Sequence, residues 1–259
     1  MIFETHAHYD DKAFDSDREE ILAGMKEKGI GKIAEVAASM EGCRNALNLC
    51  EKYEDMIAVL GVHPEDCAGL TEEDMDWIKN QAITNPKVRA IGEIGLDYYW
   101  DEPARDIQKK WFVRQLQLAE EVNLPVVVHS RDAAADTLEI IKSFSRENSD
   151  IKGVIHCFSY ETQMALEYVK MGYLIGVGGV VTFKNGRKLR EVVEAIPLDS
   201  IVVETDCPYM APHPFRGSRN SSLYIPYIIE EIAKIKGLKA CEVEEATWNN
   251  AMRLYGLRK

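Results

Sequence analysis

Ile2-Phe3-Glu4-Thr5-His6-Ala7-His8 decides the reading of the fold, because a short apolar run ends there in two imidazoles and the arrangement then recurs. His63 follows Ile57-Ala58-Val59-Leu60, Glu93 follows Val88-Arg89-Ala90-Ile91, and His129 follows Val126-Val127-Val128. His156 follows Val154-Ile155, and Asp206 follows Ile201-Val202-Val203. Short apolar runs of this kind read as buried parallel strands. Imidazoles and carboxylates at the ends of successive strands are what a metal centre in an α/β barrel requires. A single strand-end histidine is ordinarily a satisfied core or loop residue; the group would need that coincidence several times over.

Outward from these runs, strand and helix patterns alternate along the whole chain. Strands are expected at Ile2–Thr5, Lys32–Ala38, Met56–Val62, Val88–Ile94, Val126–His129, Gly153–His156, Tyr173–Val181 and Ile201–Thr205. Helices are expected between them, beginning with Arg18–Lys28 and including one capped by Thr71, with Glu72 and Glu73 suiting its N-terminal dipole. Ile107, Trp111, Leu118 and Val122 mark the buried face of another. Eight such pairs predict an α/β fold, a single (β/α)8 TIM barrel spanning residues 1–259, with Glu242–Tyr255 as a closing C-terminal helix. An open sheet would hold its first and eighth strands far apart, whereas a barrel makes them neighbours and unites the candidate residues from both ends of the chain.

The formal net charge of -12 argues against broad adhesion to nucleic acid, which depends on many Lys and Arg contacts to phosphate. It leaves room for a local cationic site, since bound divalent ions carry charge that the count omits. The six cysteines contain no C-x-x-C pair, so thiolate zinc ribbons and redox motifs are not expected. Their wide spacing suits a reduced cytoplasmic protein. No basic-then-apolar leader precedes His6 and no apolar stretch approaches membrane-spanning length, so no membrane partner is expected.

His6 and His8 stand at i and i+2, which on a strand point to the same side and so address one ion. With Glu93, His129, His156 and Asp206 they form an all-N/O donor set suited to Zn, Mn, Co, Fe or Mg. Six ligands exceed one tetrahedral zinc and fit two divalent ions sharing a carboxylate. Glu93 is placed to bridge; Asp206, on the strand beside the first, can ligate and also take a proton from the attacking water. His63, in Gly61-Val62-His63-Pro64, is a candidate substrate contact or a plain loop histidine. Arg131 could bind an oxyanion through its planar fork, and Arg216 and Arg219 lie in the loop after the eighth strand, where such barrels often hold phosphate.

Other features are set aside. Period-2 alternation turns Cys157 and Cys207 away from the metals, as packing residues. His213, between two prolines, reads as an exposed loop residue. Gly176-Val177-Gly178-Gly179 lacks the third glycine of a dinucleotide fingerprint, and no Walker loop or G-x-S-x-G occurs, so no nucleotide cofactor is expected. Tyr98, Tyr99 and Trp100 near the pocket mouth are read either as base-stacking residues or as loop packing. Trp248, Asn249 and Asn250 are expected to fix the terminal helix.

Taken together, the motifs resemble the TatD family of metal-dependent deoxyribonucleases, within the amidohydrolase-like barrels. The resemblance runs through Thr5-His6-Ala7-His8, Gly61-Val62-His63-Pro64, Gly92-Glu93-Ile94-Gly95-Leu96-Asp97-Tyr98 and His129-Ser130-Arg131-Asp132-Ala133. It continues through His156-Cys157-Phe158-Ser159, Thr182-Phe183-Lys184-Asn185, Glu204-Thr205-Asp206-Cys207-Pro208-Tyr209 and Arg216-Gly217-Ser218-Arg219-Asn220, covering nearly the whole chain in order. It implies a divalent-metal hydrolase with His6, His8, Glu93, His129, His156 and Asp206 as ligands. It also implies phosphodiester cleavage in DNA, often from the 3′ end of single strands. The chain departs from the pattern at Glu4, where Asp is usual, Tyr160, where Gly is usual, and Gly178 and Cys207, where Ser is usual. None of these removes a ligand, but Tyr160 and Gly178 bear on substrate preference. The alternative from a different substrate class is a small-molecule amide, lactone or ester hydrolase on the same barrel, since fold and metals do not dictate substrate. A non-enzymatic metal-binding scaffold is a third reading, disfavoured by a ligand set with open coordination. The native metal and the oligomeric state are not legible.

Overall fold

All eight apolar runs form strands, because Val- and Ile-rich segments with no polar face are stable only when covered on both sides. A computed structural model of the chain describes residues 1–100, 102–147 and 152–257. The strands are β1 (Ile2–Ala7), β2 (Ile30–Val36), β3 (Met56–Leu60), β4 (Val88–Asp97), β5 (Val126–Arg131), β6 (Gly153–Ile155), β7 (Leu174–Val177) and β8 (Ile201–Val203). They pair in parallel in chain order. The ring is joined where β1 and β8 run out, through a bridge between Ala7 and Cys207. Two backbone hydrogen bonds flank it, from His8 N–H to Cys207 O at 3.0 Å and from Asp206 N–H to His6 O at 3.0 Å. The architecture is a (β/α)8 TIM barrel.

The surrounding helices are α1 (Arg18–Ala23), α2 (Met40–Lys52), α3 (Glu72–Thr84), α4 (Arg105–Glu121), α5 (Ala134–Glu147), α6 (Thr162–Lys170), α7 (Arg187–Ala195), α8 (Ile225–Lys236) and α9 (Ala240–Leu254). Thr71 caps α3 as expected, and Asp74 completes a reciprocal box with it. Several expected elements are shorter: the third, sixth and eighth strands stop one or two residues early, and two others are cut back further. The Arg18–Lys28 helix ends at Ala23, since Gly24 and then Gly29, at φ +88°, break it into α1 and a 3-10 turn. The seventh strand stops at Val177, and Gly179–Thr182 coils into a 3-10 turn, with Gly179 so close to Met210 that a Cβ would lie 2.3 Å from its carbonyl oxygen.

Alternate strand residues face opposite ways. Phe3, Val36, Val59, Ala90, Val127, Val154 and Val202 form one cluster, into which α9 sends Met252, Leu254 and Tyr255. Ile33, Leu60, Ile91, Val128, Ile175 and Ile201 belong to the larger cluster shared with the helices. Helix α9 closes one end of the barrel: Phe3 stacks on Tyr255 at 5.5 Å, and the Tyr255 hydroxyl donates to Thr5 O at 2.8 Å. Asn250 donates to the carbonyls of Leu198 and Ile201, fixing α9 against β8. Among the described residues no helix is long and apolar enough to cross a membrane.

Candidate metal centre

The opposite mouth of the barrel is polar. At the end of β1, Glu4 accepts hydrogen bonds from the backbone N–H groups of His6 (3.1 Å) and Thr205 (2.9 Å) and from the hydroxyls of Thr205 (2.5 Å) and Ser222 (3.0 Å). Burial pushes its carboxyl up to about 8 against these four donors, which favour the anion. The network locks β1 to the segment after β8 and sets the direction of the following imidazoles. His6 Nε2 and His8 Nε2 then converge to 3.1 Å, so the i, i+2 pair addresses one point. His8 Nδ1 lies 2.7 Å from the Val36 carbonyl oxygen, which can only accept, so Nδ1 carries a proton and Nε2 is the nitrogen left to face an ion once its own proton is displaced.

Glu93 occupies the middle, with its two oxygens divided. Oε2 lies 3.4 Å from His6 Nε2 and 3.9 Å from His8 Nε2, while Oε1 lies 2.8 Å from His129 Nδ1 and 2.7 Å from His156 Nε2. Asp206 Oδ1 joins the first side, 3.3 Å from His8 Nε2 and 3.7 Å from His6 Nε2. Close packing of β4 on β5 brings His129 into range: Gly95 sits at φ +148°, and a Cβ there would meet the His129 carbonyl oxygen at 1.9 Å. The far nitrogen of His129, Nε2, lies 3.0 Å from Asp97 Oδ2, so that ring too turns its other nitrogen, Nδ1, to Glu93's side of the cavity.

The charges interlock. Burial works against ionisation of Glu93, but His156 and His6 hold its carboxyl well below the ordinary range. Burial likewise works against ionisation of Asp206, but the hydrogen bond from His8 and the charges of His156, His6 and His8 outweigh it, and its carboxyl is lowered. His8 is lifted to about 10 and His129 to about 9, since Asp206 in one case and Asp97 with Glu93 in the other overcome the cost of burying their charge. His6 falls to about 4 through burial and the neighbouring His156, whose ring stacks on it at 3.9 Å. Protons on His8 and His129 thus stand where a cation would bind.

The residues present fit divalent metal. Four groupings bring nitrogen or carboxylate atoms within 4.8 Å of one another: His6, His8 and Glu93; His6, His156 and Asp206; Glu93, His129 and His156; and His63, Asp97 and His129. Glu93 belongs to groups on both sides, and tautomer-fixing partners hold two of the imidazoles. An all-N/O set of this kind selects borderline or hard cations over those that prefer thiolate.

A cavity of about 670 Å³ opens onto these groups. His63 lines it, its ring edge-on to His129 at 4.3 Å, and burial together with the charge of His129 lowers it to about 3. Arg131 lines it as well, with its guanidinium 3.8 Å over the Tyr99 ring. Arg216 is not brought to the cavity: its guanidinium lies over Phe183 at 4.2 Å. Arg219 is taken up by Asp17, through Nη1 at 2.8 Å and Nη2 at 2.5 Å, and Asn220 clasps the carbonyls of Thr205 and Tyr209. Those two residues shape the loop after β8 and are not among the residues that line the cavity.

One expectation about neighbours is revised. Cys157 lines the cavity, since β6 ends at Ile155 and Cys157 adopts φ +45°, outside strand alternation. Cys207 is fully buried, as expected, and His213 is exposed. Of the aromatic trio, Tyr98 packs, donating to Asp136 at 2.7 Å, while Tyr99 and Trp100 stay exposed. The Tyr160 hydroxyl is bonded to Ser130 at 2.9 Å, and a Cβ on Gly178 would meet nothing nearer than 3.6 Å.

Three acids were given no role by the sequence reading, although Asp97 and Glu204 stand inside its motifs. Asp97 stands at i+4 from Glu93 and so on the same side of one strand, a signal that was available. Glu35 follows Ile33-Ala34 as Glu93 follows Ile91-Gly92; it accepts the N–H groups of Tyr9 (3.0 Å) and Asp10 (2.7 Å), and burial raises it to about 8. Glu204 fills the space that glycine leaves at Gly176 and accepts from Cys157 N–H at 2.5 Å.

A family model described as TatD related DNase matches residues 3–256. The chain is 42% identical over 255 residues to YabD of Bacillus subtilis (strain 168), described as an uncharacterized metal-dependent hydrolase, covering 98% of this chain and 99% of that one. It is 32% identical over 260 residues to YcfH of Escherichia coli (strain K12), described in the same words, covering 98% and 96%. The crystal structure of YjjV, a TatD homolog from E. coli K12, matches with a TM-score of 0.92 at 31% identity, covering 99% and 98%.

Proposed function

This chain belongs to the TatD-related DNase family and is a metal-dependent hydrolase, and on that premise we propose that it cleaves phosphodiester bonds in DNA, at single strands or ends, with two divalent ions. One observation carries the reading: the oxygens of Glu93 divide between His6 with His8 on one side and His129 with His156 on the other. A carboxylate shared in this way is the hallmark of a paired-ion site. The proposed ligands are His6, His8, Glu93, His129, His156 and Asp206, with zinc, manganese or magnesium as candidate ions. When bound, the ions supply Lewis-acid activation of water and neutralise charge developing on the phosphoryl oxygens.

The protein's own groups do the rest. Asp206, held ionised beside His8 and with its side chain 17% exposed to the cavity, accepts a proton from the attacking water. Arg131, fixed over Tyr99, offers its planar fork to a phosphate oxygen. His63, kept neutral, contacts substrate without adding charge. Hydrolysis of a small ester, amide or lactone on the same centre is the second reading. It is favoured by Asp10, Asp11, Glu65 and Asp66, which line the cavity and repel a long polyanion. The deciding experiment is elemental analysis of the purified protein followed by metal-titrated digestion of end-labelled oligonucleotides beside a panel of esters and lactones. Turnover of DNA is expected; intact DNA with hydrolysed esters would replace the first reading with the second.

A further inference from the structure

We propose that Trp100 and Tyr209 are a pair of nucleobase-stacking subsites at the cavity mouth, holding the bases on either side of the bond to be cut; this rests on the DNA reading above. Among the described residues seven large apolar side chains are exposed, and three of them, Tyr99 at 54%, Trp100 at 61% and Tyr209 at 56%, gather at this one mouth. Trp100 follows β4 and Tyr209 follows β8, strands that face each other across an eight-stranded barrel. Both line the same cavity as His8, Glu93 and Asp206.

Each ring is braced without being covered. The Tyr209 hydroxyl donates to Asp11 Oδ2 at 3.1 Å, which fixes the ring and leaves its faces open. Trp100 meets Tyr99 edge-on at 4.8 Å and 90°, and Tyr99 spends a face on Arg131. Aromatic surface left in water at such positions contributes nothing to the core, whereas every base has a π-face that it can accept.

Charge points the same way. Among the described residues lining the cavity Arg131 is the one Lys or Arg, against the four rim acids. Arg131 and the proposed ions can meet the scissile phosphate, but no run of cations follows the backbone on either side of it, so affinity for the flanking nucleotides falls to stacking. Paired bases inside a duplex do not present free faces, which selects unpaired ones.

The test compares metal-loaded wild type with Trp100→Ala, Tyr209→Ala and the double variant on a single-stranded oligonucleotide. A matched strand carries abasic spacers on both sides of the scissile phosphate. Stacking predicts that the spacers raise the wild-type KM by about 5- to 150-fold for each base removed and that the double variant no longer distinguishes the strands. The loss should fall on KM more than on kcat. Trp100→Phe and Tyr209→Phe, which keep a ring, restore most of it, and Ile83→Ala, an exposed apolar residue on α3, changes nothing. Salt dependence of binding should correspond to about one phosphate contact, a log–log slope near -0.7. A double variant that keeps full preference for the base-bearing strand overturns the proposal. If the protein cuts no DNA, calorimetric binding of thymidine 5′-monophosphate against deoxyribose 5-phosphate decides the subsites separately. Preference for the nucleotide, lost in the double variant, upholds them, and equal binding of the two ligands rejects them.

Discussion

At the end of the barrel where the strands begin, Phe3 stacks on Tyr255, packs beside Trp248 at 5.8 Å, and is sealed under α9. At the end where they finish, the same sheet presents four imidazoles and the carboxylates of Glu93, Asp97 and Asp206 to one cavity. Only a few residues along each strand separate Val127 from His129, Val154 from His156, and Val202 from Asp206. The lower layer is complete in itself, with apolar atoms filling apolar space. The upper layer is not: protons on His8 and His129 stand in for the cations that its acids attract. Stability and chemistry therefore occupy opposite ends of one framework, as expected for this architecture.

Four measurements break or sharpen that contrast. The largest expected effect is at the upper end, where Asp206→Asn should retain the fold and its melting temperature while turnover of the metal-loaded protein falls about 10²- to 10⁴-fold. Wild-type rates would remove Asp206 from proton transfer. At the lower end, Phe3→Ala should cost about 3–5 kcal/mol in denaturant unfolding, with activity per folded molecule preserved. Should it instead strip the metals from a protein of normal stability, the two ends are not independent.

Metal affinity tests the standing protons. Both His8 and His129 are raised above their ordinary value in the metal-free chain, so both are charged at neutral pH and must be deprotonated for an ion to bind. Affinity should rise with pH from 6 towards 9, by up to about tenfold per pH unit for each proton displaced. Calorimetry in buffers of different ionisation enthalpy reads the protons directly, and a pH-independent affinity would contradict the assignment. The smallest effect belongs to Asp97→Asn, which should weaken metal affinity or activity by about 10- to 100-fold by releasing His129 from its fixed orientation. A change under threefold would make Asp97 a bystander.

Much of this contrast is legible in the residues. Period-2 alternation and apolar runs are local properties, so β1, β5 and β8, and the His6–His8 pair, follow from a few consecutive side chains. Asp97 is legible in principle, at i+4 from Glu93. Cys157 is not, because alternation fails where a backbone turns to positive φ just past a strand. The shortening of β7 at its glycines belongs to the same class, since it depends on how closely Met210 approaches Gly179.

The chain alone thus determined which residue types stand at which strand ends, and with them the barrel and the kind of ion it would attract, because these depend on spacing within short segments. Only the tertiary structure decided that Glu93 divides its oxygens between two pairs of imidazoles, that Arg131 rests on Tyr99 beside the cavity while Arg216 lies on Phe183, and that Trp100 and Tyr209 line that one cavity. Those relations join atoms far apart in sequence, and loops take their course from the distant surfaces they meet.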